Sequence, residues 1–170
     1  MLKSKEKALN LVDFDSYKGA LMIADMYTYY RSKGLSLLDV LNNLYKKYWY
    51  SKNALSSYEF EGKEGFDKMQ EIMAKVRACD KTSFSGYALV SKGDYKLGSI
   101  KYVFGKTEPT NLPKSDVLKF CLSDNASFVV RPSGTEPKLK IYTSVSASAP
   151  NLLDEKTNEM KKELEELFGL

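Results

Sequence analysis

The chain has 170 residues, of which 43% are hydrophobic and 28% charged, so it is long enough for one good core or for one domain and part of another. It contains no histidine, which excludes Ser–His and Cys–His nucleophile pairs and His-ligated zinc. Its net charge of +4 is spread along the chain and the C-terminal end is acidic, whereas a dedicated nucleic-acid binder concentrates positive charge in one stripe.

Neither a membrane span nor an export signal is expected. No apolar run approaches the ~20 residues needed to cross a bilayer. The N-terminal MLKSKEKALN is basic but lacks a following apolar region and cleavage site, so it does not read as a signal peptide. Cys79 and Cys121 form no metal or redox motif, and without an export signal they are expected as buried thiols rather than a disulfide. These features predict a cytoplasmic protein.

Two helices without strands are predicted at the start of the chain. Residues 15–33 read as a helix that ends at Gly34, and its apolar residues lie almost all round, so it needs neighbours on more than one face. Ser36 caps a second helix, with Asp39 as an acidic variant of the capping box. The stripe of that helix consists of Leu37, Leu38, Leu41, Leu44, Tyr45 and Tyr48.

The rest of the chain predicts an α+β domain. Residues 53–57 look like a linker, and a third helix over 63–77 carries Phe66, Met69, Ile72, Met73 and Val76 on one face. The hydrophobic period then changes from 3.6 to 2, with strands near 84–90, 99–104, 116–122, 127–131 and 138–145. Asn151 caps a last helix, whose inward residues are Leu153, Met160, Leu164 and Leu167. This order predicts an antiparallel sheet with its helices on one face.

The stretch FVVRPSGTEPKLKIY, residues 128–142, holds the candidate site. Pro132 and Pro137 stiffen both shoulders of a turn, and Gly134 permits backbone angles that other residues avoid. Backbone N–H groups in such a turn can form an anion-binding nest, to which Ser133 and Thr135 add hydroxyl donors. Arg131 offers a planar guanidinium that matches phosphate geometry. The residues alone leave two interpretations open, an anion site and an ordinary hairpin turn with a surface arginine.

RPSGTEPK resembles the phosphate-binding loop in the C-terminal domain of the α-D-phosphohexomutases, the phosphoglucomutase and phosphomannomutase enzymes. SLLDVLNNLYKKYWY, YEFEGKEGFDKMQEIM and LPKSDVLKFCLSDNASFVVRPSGTEPKLKIY resemble their counterparts in the bacterial branch, in the same order. The resemblance covers nearly the whole chain from about Asp13. It implies a four-domain enzyme whose last domain has a TATA-binding-protein-like fold, an antiparallel sheet with two helices. Residues 53–170 would be that domain, and residues 1–52 the closing helices of the third.

The resemblance also implies a role for the loop. Arg131, Ser133, Gly134 and Thr135 would grip the non-transferred phosphate of a hexose phosphate during intramolecular phosphoryl transfer, and Lys140 would add charge. The phosphoserine loop, the D-G-D-G-D-R loop that holds Mg²⁺ and the sugar-binding loop of the family have no counterpart in this chain. The two acids of Asp13-Phe14-Asp15 read as a helix start instead. No catalytic or metal-binding residue, and no turnover by the chain alone, is therefore expected.

The expected partners are a hexose phosphate and the remaining domains of the parent enzyme, with no nucleic acid and no membrane. The broad apolar faces of the first two helices predict either self-association or fraying over residues 1–35. Two other functions stay open at this point. One is a stand-alone regulatory or interaction domain derived from the family, and the other is a nucleic-acid-binding module, indicated by the pI of 8.8 and twelve tyrosines.

Overall fold

A computed structural model describes residues 14–170 of the chain. Contacts between Cα atoms divide the protein into two units, one ending at Tyr48 and the other running from Trp49 to Leu170. The described part of the first unit consists of helices α1 (Phe14–Ser32) and α2 (Leu37–Tyr48). The prediction of a helix start at Asp13-Phe14-Asp15 rests on side chains outside the described ones.

The ends of these two helices confirm the predicted caps. Gly34 has a φ of +73°, and the amide of Leu35 donates to the carbonyl of Tyr30 at 3.0 Å, as in a helix that ends in a left-handed residue. At the start of α2, the Asp39 amide donates to Ser36 Oγ at 3.1 Å. The Ser36 amide donates in return to the Asp39 carboxylate at 2.9 Å, which closes a capping box.

Large apolar side chains of the first unit are exposed on both helices. Met22 and Leu21 are 73% and 66% exposed, and no residue of α2 is buried. The exposed members on α1 and α2 are Tyr17, Leu21, Met22, Ile23, Met26, Tyr27, Tyr29, Leu38, Leu41, Leu44 and Tyr48. The prediction of apolar residues almost all round the first helix is confirmed.

The second unit is an α+β fold built on one antiparallel sheet, as predicted. Its elements are β1 (Tyr50–Glu59), α3 (Gly62–Ala78), β2 (Ser83–Phe84), β3 (Tyr87–Asp94), β4 (Ser99–Tyr102), β5 (Thr107–Pro109), β6 (Leu118–Leu122), β7 (Ser127–Pro132), β8 (Lys138–Ala147) and α4 (Asn151–Phe168). The strand order is β1-β8-β7-β6-β3-β4-β5, and β2 pairs with β3. Every pairing between these strands is antiparallel.

The core lies between one face of this sheet and helices α3 and α4. Alternate residues of β6, β7 and β8 are buried, as the period of two predicts for a sheet covered on one face. The rings of Phe84, Phe120 and Phe128 pack together at its centre, with centroids 4.4–5.6 Å apart. Helix α3 buries Met69, Ile72, Met73 and Val76, and α4 buries Met160, Leu164 and Phe168.

Three local predictions are wrong. The expected linker over 53–57 lies inside strand β1, which pairs with β8 along ten residues. Asn151 is the first residue of α4 rather than its cap, since Pro150 precedes it and no side chain caps the helix. Leu167 is 39% exposed, and its neighbour Phe168 faces the core instead. The short edge strand β5 was not expected.

Two further findings concern predicted properties. Cys79 and Cys121 are free thiols, half-buried rather than buried. No helix within residues 14–170 combines the length and the apolar character needed to cross a membrane. The assignment of residues 1–52 and 53–170 to two different domains of a larger enzyme stays a prediction.

Candidate functional site

The segment Arg131–Pro137, called here the RPSGTEP turn, connects the neighbouring strands β7 and β8. The Ser133 amide donates to the carbonyl of Lys138 at 2.7 Å, which closes the hairpin. On the other shoulder, the carbonyl of Pro137 accepts from the amide of Phe60 at 2.8 Å, just before α3. The turn is therefore fixed at both ends to the strands and to the β1–α3 connection.

Between these anchors the turn leaves donors free. The amides of Gly134, Thr135 and Glu136, and the hydroxyls of Ser133 and Thr135, donate to no protein acceptor within the described residues. Gly134 and Thr135 are exposed. Exposed amides of this kind are available to an anion, as the nest interpretation requires.

The guanidinium of Arg131 has no hydrogen bond or ion pair with any side chain of residues 14–170. Arg131 stands directly opposite Lys140 in the β7–β8 register, so both cations lie on the same face of the sheet. Like charges placed opposite each other in neighbouring strands are destabilising, and an anion held between them would remove that cost. This juxtaposition favours an anion site over an ordinary turn.

Lys138 and Glu136 are engaged with each other and with β1. The Lys138 ammonium lies 2.7 Å from a carboxylate oxygen of Glu59 and 3.4 Å from one of Glu136. The hydrogen bond with Glu59 raises the pKa of Lys138, and the same contact lowers the pKa of Glu59. The negative charge of Glu136, which would repel a bound phosphate, is partly offset by Lys138, whose ammonium it shares with Glu59.

A cavity of about 350 Å³ opens beside the turn. Its lining comes from the turn, from α3 and from the segment before β6, and consists of Phe66, Met69, Gln70, Ser115, Asp116, Val117, Arg131, Pro132, Ser133 and Gly134. Three of the predicted site residues thus share one cavity. Thr135 and Lys140 are not part of its lining. The contribution of Gln70 and Asp116 has no signal in the sequence, because it depends on how α3 crosses the sheet.

The carboxylate of Asp116 in this lining is neutralised. It accepts from Nη2 of Arg77 at 2.5 Å and lies 3.6 Å from the ammonium of Lys96. The acidic side chain in the lining of this cavity is therefore already paired. The groups left to meet a ligand are hydrogen-bond donors and the guanidinium of Arg131, which suits a doubly negative oxyanion.

The backbone of Gly134 differs from the expectation. Its φ lies outside the left-handed region, and a Cβ atom built on it would meet nothing within 4 Å. Neither the conformation nor the packing of the protein itself requires glycine here. The open space in front of Gly134 is what the close approach of a ligand to the backbone would need.

No group of three or more Cys, Asp and Glu side chains within residues 14–170 is placed to hold a metal ion. The Mg²⁺ that the resemblance implies for the intact enzyme therefore finds no ligand set in this part of the chain.

Comparison with known proteins identifies the family. The pattern of the phosphoglucomutase/phosphomannomutase C-terminal domain matches residues 61–162. A phosphoglucomutase of Staphylococcus saprophyticus is 30% identical over 133 residues, covering 75% of this chain and 24% of the relative. One of Staphylococcus aureus is 36% identical over 151 residues, covering 84% of this chain and 27% of the relative. The chain thus spans about a quarter of the length of these curated relatives.

Among solved structures, the open form of parafusin, a phosphoglucomutase from Paramecium, overlaps 82% of this chain and 24% of its own. The TM-score is 0.48 at 14% identity, which is too loose an overlap for comparing side chains. The match to the family pattern includes the RPSGTEP turn, helix α3 and most of α4. The chain belongs to the phosphoglucomutase/phosphomannomutase family and contains its C-terminal domain.

Proposed function

We propose that the RPSGTEP turn binds the phosphate group of a hexose phosphate. In the family pattern this is the phosphate that is not transferred, and holding it presents the opposite end of the sugar to the phosphoserine of another domain. Arg131, Ser133, Gly134 and Thr135 take the phosphate oxygens, and Lys140 adds charge from the neighbouring strand. The role is positioning, which lowers a phosphoryl-transfer barrier without breaking a bond itself.

The observation that carries this proposal is the unpaired guanidinium of Arg131 opposite Lys140, beside free amides and an open cavity. If no ligand bound here, pairing or removing one of these two cations would make the folded protein more stable. Phosphate offers two negative charges and several acceptor oxygens, which match a guanidinium fork and several N–H and O–H donors.

The chemistry of phosphoryl transfer belongs, in this proposal, to other domains of a phosphohexomutase. They supply the phosphoserine, the Mg²⁺ site and the loop that recognises the sugar hydroxyls. The chain alone binds without turnover, and the whole enzyme interconverts hexose phosphates in the cytoplasm. In this proposal, residues 1–52 hold the closing helices of the third domain, and the exposed apolar side chains of α1 and α2 contact the rest of that domain.

The expected affinity is low. Charge-assisted hydrogen bonds contribute roughly 1.5–3 kcal/mol each, and three or four are available. Loss of translational and rotational freedom costs about 4–15 kcal/mol. The balance lies near or below the ~4 kcal/mol of a millimolar complex.

The experiment is an NMR titration of the ¹⁵N-labelled chain with glucose 1-phosphate. We expect the amides of residues 131–138 to shift at millimolar ligand, and we expect Arg131→Gln to abolish those shifts. Arg31→Gln, which removes an exposed arginine from α1, is the matched control and should leave them unchanged. Unperturbed amides at 131–138 at high ligand concentration, or equal titration of Arg131→Gln, would contradict the proposal.

A further inference from the structure

A second cavity, of about 510 Å³, lies where the C-terminal end of α3 meets β3 and β4. None of its lining residues borders the cavity beside the RPSGTEP turn. Its apolar wall includes Leu89, Tyr102, Leu97 and Val103, of which the last two are 68% and 56% exposed. Its size and mainly apolar wall are typical of sites for small organic ligands.

Two lysines stand directly opposite each other in this cavity. Lys92 of β3 and Lys101 of β4 are partners in the antiparallel register, and both line the cavity. Neither ammonium lies within 4 Å of a carboxylate of the described residues. As at Arg131 and Lys140, neighbouring strands hold opposed cations that form no ion pair, which is unfavourable for the protein alone.

Lys92 is the more constrained of the two. Its ammonium donates to the carbonyls of Arg77 and Cys79, at 2.7 Å each, at the end of α3. These contacts use two of its three N–H groups and bring only the partial negative charge of a helix C-terminus. Burial lowers the pKa of Lys92, which reflects a charge without full compensation. The ammonium also lies 5.0 Å from the centroid of the Phe120 ring, which is a cation–π contact.

The two acidic residues of the lining lie near enough to Lys92 to raise its pKa against the effect of burial, but neither forms an ion pair with it. Asp94 accepts from Nε of Arg77 at 2.7 Å and from the amides of Lys96 and Leu97 at 3.0 and 3.1 Å. Three donors therefore already bind this carboxylate. Asp80 is exposed and pairs with no cation of residues 14–170.

We propose that this cavity binds a small amphiphilic anion, with its negative group between Lys92 and Lys101 and its apolar body against Leu89, Leu97 and Val103. The ligand covers apolar side chains that are otherwise exposed and supplies the counterion that the opposed lysines lack. The site shares no lining residue with the cavity beside the RPSGTEP turn, so each of the two proposals can fail without the other.

The test is an NMR titration of the full chain with 1-naphthalenesulfonate, an aromatic anion of suitable size. We expect shifts at residues 77–82 and 97–105, and weaker or no shifts there with the neutral 1-naphthalenemethanol. Lys101→Gln should weaken binding about threefold, as for an exposed ion pair. Asp80→Asn should tighten it about twofold, because it removes a like charge from the anion. Lys162→Gln, a lysine change on the distant face of α4, is the control.

Equal binding of the neutral compound, or shifts confined to residues 14–48, would overturn the proposal. So would unchanged affinity in Lys101→Gln. A second measurement shows whether the variant is correctly folded. The glucose 1-phosphate titration at residues 131–138 should be the same in Lys101→Gln and in the unmodified chain.

Discussion

At the level of single residues, two cations face each other where strands β7 and β8 meet the RPSGTEP turn. Their repulsion should affect both the stability of the free protein and its binding of an anion. Arg131 and Lys140 face each other across β7 and β8 without a counterion in the described part of the chain. An arrangement that costs stability in the free protein and is relieved by a ligand is typical of binding sites. The loss of stability in the free protein and the gain on anion binding can be measured separately.

Lys140→Gln should stabilise the free protein and weaken its response to phosphate. Removing one of two opposed cations should raise the free energy of unfolding by about 0.5 kcal/mol. Urea unfolding in a buffer without phosphate measures this change, and repeating it with added phosphate measures the response. Lys162→Gln is the control, since it removes a lysine that pairs with Glu166 and should not stabilise. A destabilised Lys140→Gln protein would show that the opposed charges carry no strain.

Gly134→Ala separates the needs of the fold from those of the ligand. The backbone of Gly134 is in a region open to alanine, and the added Cβ meets no protein atom within 4 Å. We expect unchanged or slightly higher stability, by up to about 1 kcal/mol from the stiffer unfolded chain. We expect glucose 1-phosphate binding to weaken about fivefold, because the methyl group fills the space in front of the free amides. Thermal unfolding and NMR titration measure the two effects.

An unaltered affinity of Gly134→Ala, with unaltered stability, would mean that no ligand approaches this amide. Loss of stability would instead mean that glycine serves the fold. Either result would mean that Arg131, and not the amides of the turn, accounts for ligand binding.

Glu163 of α4 gives the fold a predictable dependence on pH. Its carboxylate accepts from the hydroxyl of Ser85 at 2.7 Å, from the Ser85 amide and from the ammonium of Lys81. Burial alone would raise the pKa of Glu163, but these donors outweigh it and hold the pKa below its ordinary value of 4.5. The stability from this group is complete above about pH 4.5 and is lost as the pH falls through the folded-state pKa.

Glu163→Gln should lower the free energy of unfolding at pH 7 by about 1–2 kcal/mol, because charge-assisted hydrogen bonds become neutral ones. The difference from the unmodified protein should shrink as the pH falls through the folded-state pKa of Glu163, because the protonated carboxyl group is uncharged like the amide of glutamine. Urea unfolding at several pH values measures this convergence. Glu166→Gln, on the exposed side of α4, is the matched control. A constant difference at every pH would contradict the prediction.

At the level of elements, the sequence predicts those parts that its local pattern determines. The capping box of Ser36 and Asp39, the left-handed Gly34 and the apolar face of α3 follow from spacing and residue type, and all are present. The alternation in β6, β7 and β8 follows in the same way. These features need no knowledge of the remainder of the fold.

Strand β1 shows where this reasoning stops. Its sequence, YSKNALSSYE, is rich in small polar residues that are typical of loops. It becomes a strand because β8 offers a ten-residue partner, and because Lys52 and Tyr58 bond to Asp154 and Glu165 of α4. Likewise, the turn residues of the candidate site can be recognised in the sequence, whereas the pairing of Asp116 with Arg77 depends on a tertiary contact.

The exposed apolar side chains of α1 and α2 predict self-association of the chain when it is alone. Patches beyond a few hundred Å² rarely stay in water, and both helices carry large apolar residues that are exposed. We expect sedimentation velocity to show concentration-dependent oligomers, and a chain of residues 49–170 to be monomeric. If the chain is a monomer, fraying of α1 should appear as fast amide hydrogen exchange over residues 14–32.

A monomer whose α1 amides are well protected from exchange would contradict both outcomes. The double substitution Leu21→Gln and Met22→Gln, which makes the exposed surface polar, should reduce association without changing the second unit. Amide shifts of residues 49–170 provide that check.

At the level of the whole molecule, the role proposed for the RPSGTEP turn is binding, and the transfer of phosphate is assigned to other domains. The chain spans about a quarter of its curated relatives, and its described part offers no metal ligand set. We therefore expect no conversion of glucose 1-phosphate by the chain alone. A coupled assay that detects glucose 6-phosphate measures this, with an intact phosphoglucomutase as the positive control. Turnover that scales with the concentration of this chain and survives repurification would contradict the expectation.

The ten-residue pairing of β1 with β8 has a practical consequence for anyone who trims the protein to its conserved segment. The family pattern begins after β1 and ends before Leu164 and Phe168, two side chains that are almost completely shielded from water. A protein cut to residues 61–162 would leave β8 with bare peptide groups along one flank, inviting intermolecular strand addition. Such a fragment should precipitate or bind thioflavin T on refolding, whereas residues 49–170 should stay dispersed.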